Sequence, residues 1–292
     1  MRKIKLSEEL LFPTRIIATC GKIVVFQRKG DDVFVLVDPE DNGKCGVIGR
    51  IGRGPNEFIG VDVQSLKPVS DGFVCMDAGG KVKKVTMGDK VEVSASDIET
   101  FGYPQNGVFV GKDFVSVNVM DSESEYVLCS EGAEKPRPLS DFPDWTSDDG
   151  QPLPFVYMKN MVAHPTKDIF ASFYVYFRKI RIMDTEGEIL KDIDVRVPDE
   201  FPAYSASPES QRFAYAAYPC ATESRVYALC FNSDRKSMRS AIPEIQVWDW
   251  NGKLKKIYVP DRHLDLIAVD EGRGVLYGMD ISKPDTVYSA GI

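Results

Sequence analysis

The stretch GRIGRGPNEF, Gly49 to Phe58, has the glycine content of a loop that could hold a phosphate. Its glycines are spaced G-x-x-G-x-G, which matches neither the dinucleotide-binding pattern nor a phosphate loop ending in Gly-Lys-Ser/Thr. Pro55 also removes a backbone N–H where a phosphate would accept a hydrogen bond. The stretch therefore predicts a structural turn, in which Gly52 and Gly54 take a positive φ and Phe58 fills an apolar site under the next unit.

Nucleophilic catalysis has no matching pattern in the chain. His164 and His263 are far apart in sequence, each lies in or beside a predicted turn, and no G-x-S-x-G motif accompanies them. We interpret both histidines as surface or turn-capping residues.

The cysteines show neither a C-x-x-C pair nor metal-site spacing, which favours free thiols buried in strands. Cys220 and Cys230 fall on a predicted hairpin, where Cys230 would lie opposite Tyr215, so these two would not bridge in register. The six are Cys20, Cys45, Cys75, Cys129, Cys220 and Cys230.

Similar elements recur along the chain roughly every fifty residues, which indicates a repeated structural unit. These units form the scaffold that must position any functional site. A junction residue, Phe in five cases, opens each unit. The junctions are Phe12-Pro13, Phe58, Phe101, Phe142-Pro143, Phe201-Pro202 and Leu264. After each junction come a short strand, a tight polar turn and a strand rich in β-branched and aromatic residues. A third strand then ends in another polar turn of the kind found in antiparallel hairpins.

Six such units predict an all-β, six-bladed β-propeller of four-stranded antiparallel blades. We expect a single domain over residues 1–292, with blades near 13–57, 58–100, 101–141, 142–200, 201–263 and 264–292. The sixth unit is one strand short, whereas KIKL, Lys3 to Leu6, alternates polar and apolar residues before the first junction. Residues 1–12 are therefore predicted to supply the outer strand of the last blade and to close the ring.

The charge balance excludes some partners. With 44 acidic and 36 basic residues, the chain should repel nucleic acids and anionic membrane surfaces. The compact basic cluster KVKK, Lys81 to Lys84, alternates with valines and predicts the exposed face of a strand.

The sequence has no apolar run long enough to form a transmembrane segment. Its first residues lack the apolar region of a signal peptide. We expect a cytoplasmic protein if Met1 is the native start, and a periplasmic or cell-surface protein if a leader has been removed.

Four stretches carry a resemblance to a known family. They are GRIGRGPNEF, SPESQRFAYAAY (Ser207–Tyr218), IQVWDWNGKLKKIYVPD (Ile245–Asp261) and LIAVDEGRGVLYGM (Leu266–Met279). In these stretches, and over nearly its whole length, the chain resembles the bacterial TolB-like six-bladed β-propellers, related in pattern to NHL repeats. His164-Pro165-Thr166-Lys167 departs from the family's Ser-Pro-Asp-Gly turn. The resemblance implies a protein that binds partners or ligands outside the cytoplasm, and fold analogy does not imply an activity.

In a propeller, the innermost strands begin at the mouth of a central channel. The predicted mouth residues, which are the candidate ligand-binding set, are Arg15, Asp62, Gln105, Asn160, Tyr204 and Asp265. Six-bladed gluconolactonase-like enzymes hold a divalent cation at this mouth, and Asp62, Asn160 and Asp265 could supply ligands for Ca²⁺ or another divalent ion. Arg15 argues against a metal, because a guanidinium in the same ring repels the ion and favours a pair with a carboxylate.

The remaining features point to packing and to binding. The aromatic run FYVYF, Phe173 to Phe177, is predicted to pack between blades, as are Trp248 and Trp250. The long loop 144–159 and the polar loop 232–241 are candidate contact surfaces, because binding residues concentrate on loops of rigid scaffolds.

We therefore predict a non-catalytic binding or protein-interaction propeller without a cofactor. Its expected ligand is a protein, a small molecule or a carbohydrate. Its contact surface is expected at the channel mouth and the 144–159 loop. The alternative is a metal-dependent propeller hydrolase or lactonase with a cation in the channel.

Overall fold

The computed structural model describes residues 1–41, 43–98, 106–119, 123–146, 150–195, 213–216 and 218–292. Within these ranges the regular structure is almost entirely strand. The exceptions are a short helix, α1 (Leu153–Val156), and two 3-10 turns at Val63–Ser65 and Ala78–Gly80. Among the described helices, none has the length and apolar character needed to span a bilayer.

The strands are short and separated mostly by tight turns. The first ten are β1 (Arg2–Lys5), β2 (Pro13–Thr19), β3 (Lys22–Gln27), β4 (Asp32–Asp38), β5 (Lys44–Ile51), β6 (Glu57–Phe58), β7 (Lys67–Val69), β8 (Gly72–Asp77), β9 (Lys81–Met87) and β10 (Val91–Asp97). The next eight are β11 (Val108–Val110), β12 (Asp113–Val117), β13 (Tyr126–Cys129), β14 (Arg137–Leu139), β15 (Lys159–Ala163), β16 (Ile169–Tyr174), β17 (Lys179–Asp184) and β18 (Ile189–Asp194). The last eight are β19 (Phe213–Ala216), β20 (Cys220–Ala221), β21 (Arg225–Asp234), β22 (Glu244–Asp249), β23 (Leu254–Tyr258), β24 (Leu266–Asp270), β25 (Val275–Met279) and β26 (Thr286–Gly291).

These strands form six sheets. Blade 1 is β2–β6, blade 2 is β7–β10, blade 3 is β11–β14, blade 4 is β15–β18, blade 5 is β19–β23, and blade 6 is β24–β26 with β1. Each blade contains four antiparallel strands, and blades 1 and 5 each add one short strand, of which β6 runs parallel to β5. The prediction of a six-bladed β-propeller is confirmed.

The amino-terminal strand completes the last blade, as predicted. Strand β1 pairs antiparallel with β26, from Arg2 opposite Ser289 to Lys5 opposite Thr286. Ile4 turns its side chain into the core, and Lys5 forms an ion pair with Asp285.

The chain divides into two compact units. Unit 1 comprises Met1–Asn106, Glu131–Lys135 and Leu264–Ile292, and unit 2 comprises Gly107–Ser130 and Pro136–His263. Blades 1, 2 and 6 belong to unit 1, and blades 4 and 5 with most of blade 3 belong to unit 2. In unit 1 an apolar core joins blades 1 and 2 through Phe34, Phe58 and Phe73.

The GRIGRGPNEF stretch is a structural junction, but its glycines act differently from the prediction. Positive φ falls on Gly49 (φ 72°), not on Gly52 or Gly54. The latter two are needed for space, because the Glu57 carboxylate folds back beneath them and accepts a hydrogen bond from the backbone N–H of Gly54 at 2.7 Å. Phe58 is buried between the two blades, as predicted.

The KVKK prediction is wrong for one residue. Lys83 is buried on the same face of β9 as Val85, whereas Lys81 is exposed. The Lys83 ammonium donates to the backbone carbonyl of Glu57 and lies 3.5 Å from the Asp77 carboxylate. A lysine can be buried there because both partners are provided inside the junction.

Blades 4 and 5 share a second core within unit 2. It includes Phe173, Tyr215 and Trp248, with Trp250 packed against it. The predicted packing role of the two tryptophans and of Phe173 is confirmed.

All six cysteines are free, as predicted. Cys230 lies opposite Ala216, because the β19–β21 register shifts near this point, and Cys220 lies opposite Tyr227. The expected burial holds for Cys75, Cys129 and Cys230, whereas Cys20 is exposed in the β2–β3 turn.

Candidate functional site

Three of the described mouth residues belong to unit 1. Arg15 is buried in β2, opposite Phe26. Asp62 and Asp265 open blades 2 and 6, and each donates its backbone N–H to a methionine carbonyl of the next strand, at 2.9 and 2.8 Å. Blades 2 and 6 thus begin with a structurally equivalent aspartate, as the repeat suggested.

Both aspartates also use their carboxylates locally. Asp62 accepts a hydrogen bond from the backbone N–H of Gln64 at 3.1 Å and caps the 3-10 turn. Asp265 accepts one from the backbone N–H of Ile281 at 2.8 Å. Within the described ranges, no three His, Cys, Asp or Glu side chains are grouped so that they could hold a metal ion.

Of the other three predicted mouth residues, one is described and belongs to unit 2. Asn160 is the second residue of β15, opposite Phe173. Gln105 and Tyr204 lie outside the described residues. The binding role of this set therefore stays a prediction.

The histidines act as turn anchors. His164 Nδ1 accepts hydrogen bonds from the backbone N–H groups of Thr166 and Lys167, at 3.2 and 3.1 Å. The capping prediction is confirmed, but His164 is buried against Trp250 and is not a surface residue. His263 lies with its Nδ1 2.6 Å from the carbonyl oxygen of Ala241.

Unit 2 contains a buried ionic centre that the sequence analysis missed. Glu125, just before β13, and Lys159, the first residue of β15, both have side chains that are 0% exposed. The Lys159 ammonium donates to Glu125 Oε1 at 2.5 Å, and the hydroxyl of Tyr174 donates to the same oxygen at 2.6 Å. Blades 3 and 4 are thus joined by a charged pair that is fully withdrawn from water.

Arg181 on β17 extends this centre toward the surface. Its guanidinium lies 3.6 Å from Glu125 Oε2 and donates through Nε to Asp192 Oδ2 at 3.0 Å. Two cations, Lys159 and Arg181, therefore face two carboxylates. This balance reduces the cost of burying Glu125, Lys159 and Arg181, while Asp192 remains exposed.

The protonation behaviour follows from burial and from these partners. Burial lowers the pKa of Lys159, while Glu125 acts in the opposite direction. Burial also opposes the charge on Arg181, but Tyr174, Glu125 and Asp192 outweigh it and raise the pKa of Arg181. Burial raises the pKa of Tyr174, so its phenol keeps the proton that it donates to Glu125.

Aromatic rings cover the ionic centre. The Lys159 ammonium lies 4.7 Å from the ring centroid of Tyr126 and 5.2 Å from that of Tyr174. Trp145 packs edge-on against Tyr174 at 4.6 Å, and the Arg181 guanidinium lies 4.7 Å from a Trp145 ring centroid. Such cation–π contacts favour keeping both cations charged.

The described parts of the loop between β14 and β15, residues 140–146 and 150–158, contribute most of this cover. From this loop come Phe142, Trp145 and Tyr157, and Tyr157 stacks on Phe177 at 5.4 Å. Helix α1 lies within this loop, just before Tyr157, and its Phe155 is 58% exposed although the next two residues are buried. Helix α1 thus presents one aromatic side chain to solvent, while the rings of Trp145 and Phe177 are half-buried.

The charged and the aromatic groups of this centre differ in their access to solvent. Glu125 and Lys159 are enclosed and partner each other, whereas the rings of Trp145 and Phe177 are half-buried and the Lys179 ammonium, 5.0 Å from Trp145, is paired with Asp194 at 2.6 Å. The aromatic run and the long loop were visible in the sequence. Glu125 and Lys159 had no signal, because their pairing joins residues from two blades.

Neither a protein-family profile nor a curated protein matches this sequence. Solved structures do match. The chain is similar to the β-propeller domain of Cps50 (Swd1) from Myceliophteria thermophila, with 14% identity, a TM-score of 0.53 and coverage of 100% of both chains. It is also similar to a member of the DUF4221 family from Bacteroides vulgatus, with 9% identity, a TM-score of 0.62 and coverage of 99% of this chain and 96% of that one. A third similar structure is streptogramin B lyase, with 11% identity, a TM-score of 0.55 and coverage of 99% and 97%. At these identities the likeness shows the β-propeller fold alone.

Proposed function

We propose that this protein is a non-catalytic binding propeller whose contact surface includes the loop between β14 and β15. The observation that carries the proposal is the exposed Phe155 on a loop held in place by the aromatic cover of the Glu125–Lys159 pair. Val156 and Tyr157, next to Phe155, are already packed in the aromatic cluster, so this segment loses little entropy on binding, and aromatic residues dominate the energetics of protein interfaces. The ligand class is a protein, a small molecule or a carbohydrate.

Substitution of Phe155 tests this proposal. The protein would be screened against a glycan array and against purified products of genes adjacent to its own. For any ligand found, we expect Phe155→Ala to weaken binding about tenfold. Val259→Ala is the matched control, since Val259 is 69% exposed in the same unit but lies on another loop. A ligand whose affinity depends on Val259 and not on Phe155 would contradict the proposal.

The alternative, a hydrolase or lactonase with a cation held by Asp62, Asn160 and Asp265, is less well supported. Both aspartate carboxylates accept backbone hydrogen bonds, and Arg15 is buried in the same unit as these two acids. A calcium titration followed by thermal denaturation separates the two functions, because a cation bound to the native state must raise the melting temperature. We expect no rise, and a saturable rise that is lost in Asp265→Asn would favour the enzyme.

The relation to TolB-like and NHL-like propellers is part of this proposal. It is supported by the GRIGRGPNEF stretch, which forms the junction of blades 1 and 2. The compartment also stays a prediction: periplasm or cell surface if a leader is removed, and cytoplasm if Met1 is the native start. Fractionation of native cells, with sequencing of the mature amino terminus, tests it.

A further inference from the structure

A basic segment, here called the basic loop, includes the last three residues of β21 and continues toward β22 in unit 2. We define it as residues 232–241, with the sequence NSDRKSMRSA. Its three cations, Arg235, Lys236 and Arg239, are exposed within five residues of one another. They stand out because the chain as a whole carries a net charge of −8. Local positive charge on an acidic protein marks a place where an acidic partner can approach.

Both ends of the basic loop are fixed to neighbouring elements. At its start, Arg178 Nε donates to the side-chain oxygen of Asn232 at 3.3 Å. At its end, the carbonyl oxygen of Ala241 lies 2.6 Å from His263 Nδ1. The loop is therefore held in shape before any partner arrives, which lowers the entropic cost of binding.

The one acid in the loop is already engaged. Asp234 accepts hydrogen bonds from the backbone N–H groups of Lys236 and Ser237, at 2.9 and 3.1 Å, and from the Ser237 hydroxyl at 2.8 Å. These hydrogen bonds lower the pKa of Asp234 below its ordinary value, and the bond from the Ser237 hydroxyl has the largest effect. Asp234 shapes the turn and leaves the loop with an excess of positive charge.

Apolar groups beside the cations narrow the class of partner. Ile242, directly after the loop, is 53% exposed, and Met238 is half-buried between the basic residues. Nucleic-acid sites usually provide aromatic rings that stack on bases and many cations that contact phosphates. The basic loop has no aromatic residue and only three cations, so it does not fit a nucleic acid. An acidic peptide with apolar side chains matches both features.

We propose that the basic loop binds an acidic segment of a protein partner. The segment's carboxylates pair with Arg235, Lys236 and Arg239, and its apolar residues pack on Ile242. This inference rests on the proposed function, because it names the partner class of the same binding protein. The two surfaces are connected through Arg178, which follows Phe177 of the aromatic cover and holds Asn232 of the loop.

Fluorescence anisotropy with a labelled peptide of alternating glutamate and leucine, which carries both the carboxylates and the apolar side chains of the proposed segment, tests the inference on the full chain. We expect salt-sensitive binding that Arg235→Glu/Lys236→Glu weakens about tenfold or more. The matched control is Lys90→Glu/Lys112→Glu, which makes the same change in net charge at exposed lysines of other blades. Melting temperatures of both variants would show that folding is intact. If the first variant fails to fold, Arg239→Gln replaces it, with an expected smaller loss.

Three outcomes would overturn the inference. They are no binding of the peptide at low ionic strength, equal weakening by the control variant, and tighter binding of a sulfated polysaccharide or of single-stranded DNA than of the peptide. None of them bears on Phe155. Loss of ligand binding in Phe155→Ala together with no effect of the basic-loop variant would leave the proposed function standing and remove the acidic-peptide inference alone.

Discussion

Glu125 is the residue on which the buried charges of unit 2 depend. It compensates Lys159 and faces Arg181, and its side chain is closed off from water. A buried ion pair adds little net stability compared with apolar residues, but removing one partner leaves the other buried without compensation. The two residues of the pair therefore depend on each other more than the pair adds to net stability.

A double-mutant cycle measures this dependence. We expect Glu125→Gln to lower the free energy of unfolding by about 3 kcal/mol, because Lys159 loses its counter-charge. Lys159→Met should also destabilise, and the double variant should lose much less than the sum of the two single changes. Chemical denaturation gives all three values. The exposed pair Lys5–Asp285 is the control, with an expected coupling of about 0–1 kcal/mol. Additive losses at Glu125 and Lys159 would show that they do not act as a pair.

Asp280 gives a pH dependence with a definite sign. Burial raises its pKa, but hydrogen bonds from Lys283 and Ser282 outweigh burial and lower the pKa below 3.8. The unfolded state then binds the proton more tightly, so the stabilisation is present above pH 3.8 and is lost as the pH falls through the folded-state pKa.

Comparison of Asp280→Asn with wild type checks that sign. The difference in unfolding free energy should be largest at neutral pH and should shrink as the pH falls toward about 3. Asp89→Asn, an exposed change in blade 2, serves as the control. A difference that grows in acid would show that the role assigned to Asp280 is wrong.

At the scale of elements, turns and strands could be predicted because their signals are local. The turns at Cys20-Gly21 and Ser70-Asp71, and the alternating strands that follow them, come from residues adjacent in sequence. The burial of Lys83 and the pairing of Glu125 with Lys159 could not be predicted in this way. Their partners come from other strands, and no sequence pattern within β9 or β15 indicates them. The sequence predicted that Asp62 and Asp265 lie at the starts of corresponding strands. It did not predict the backbone hydrogen bonds that their carboxylates accept, from Gln64 and Ile281 respectively.

The first blade junction offers a test with an internal control. A Cβ on Gly49 would lie 2.3 Å from the ring of Phe58, and the residue has a φ of 72°. Gly46 on the same strand has nothing within 4 Å of its added Cβ. Gly49→Ala should therefore cost about 1–3 kcal/mol of stability, whereas Gly46→Ala should change it by about 0.5 kcal/mol or less. Equal effects in urea unfolding would mean that the junction does not constrain Gly49.

At the scale of the whole molecule, the six-fold repetition was the strongest sequence signal, because each blade repeats the same order of strand, turn and strand. The position of the closing strand follows from it, since the sixth repeat lacks an outer strand and β1 supplies one. The repeat pattern predicts only regular strands, so it did not predict local departures from regular pairing. A β-bulge in blade 5 and the parallel strand β6 interrupt the regular pattern without a sequence mark.

Closure by β1 predicts that a small deletion has a large effect. Removal of residues 1–8 takes away the backbone pairing with β26, the buried side chains of Ile4 and Leu6, and the Lys5–Asp285 ion pair. Strand β26 then becomes an unprotected edge, so we expect the melting temperature to fall by several degrees.

Two point variants separate strand pairing from the general effect of shortening the chain. Ile4→Asp places a charge on the buried face of β1 and should reproduce most of the loss, whereas Lys3→Asp changes an exposed position and should have little effect. Calorimetry of all three proteins decides the matter. If the deletion variant and Ile4→Asp both have the melting temperature of the wild type, β1 does not stabilise blade 6. If Lys3→Asp loses as much as Ile4→Asp, charge near the terminus, and not burial of Ile4, is the cause.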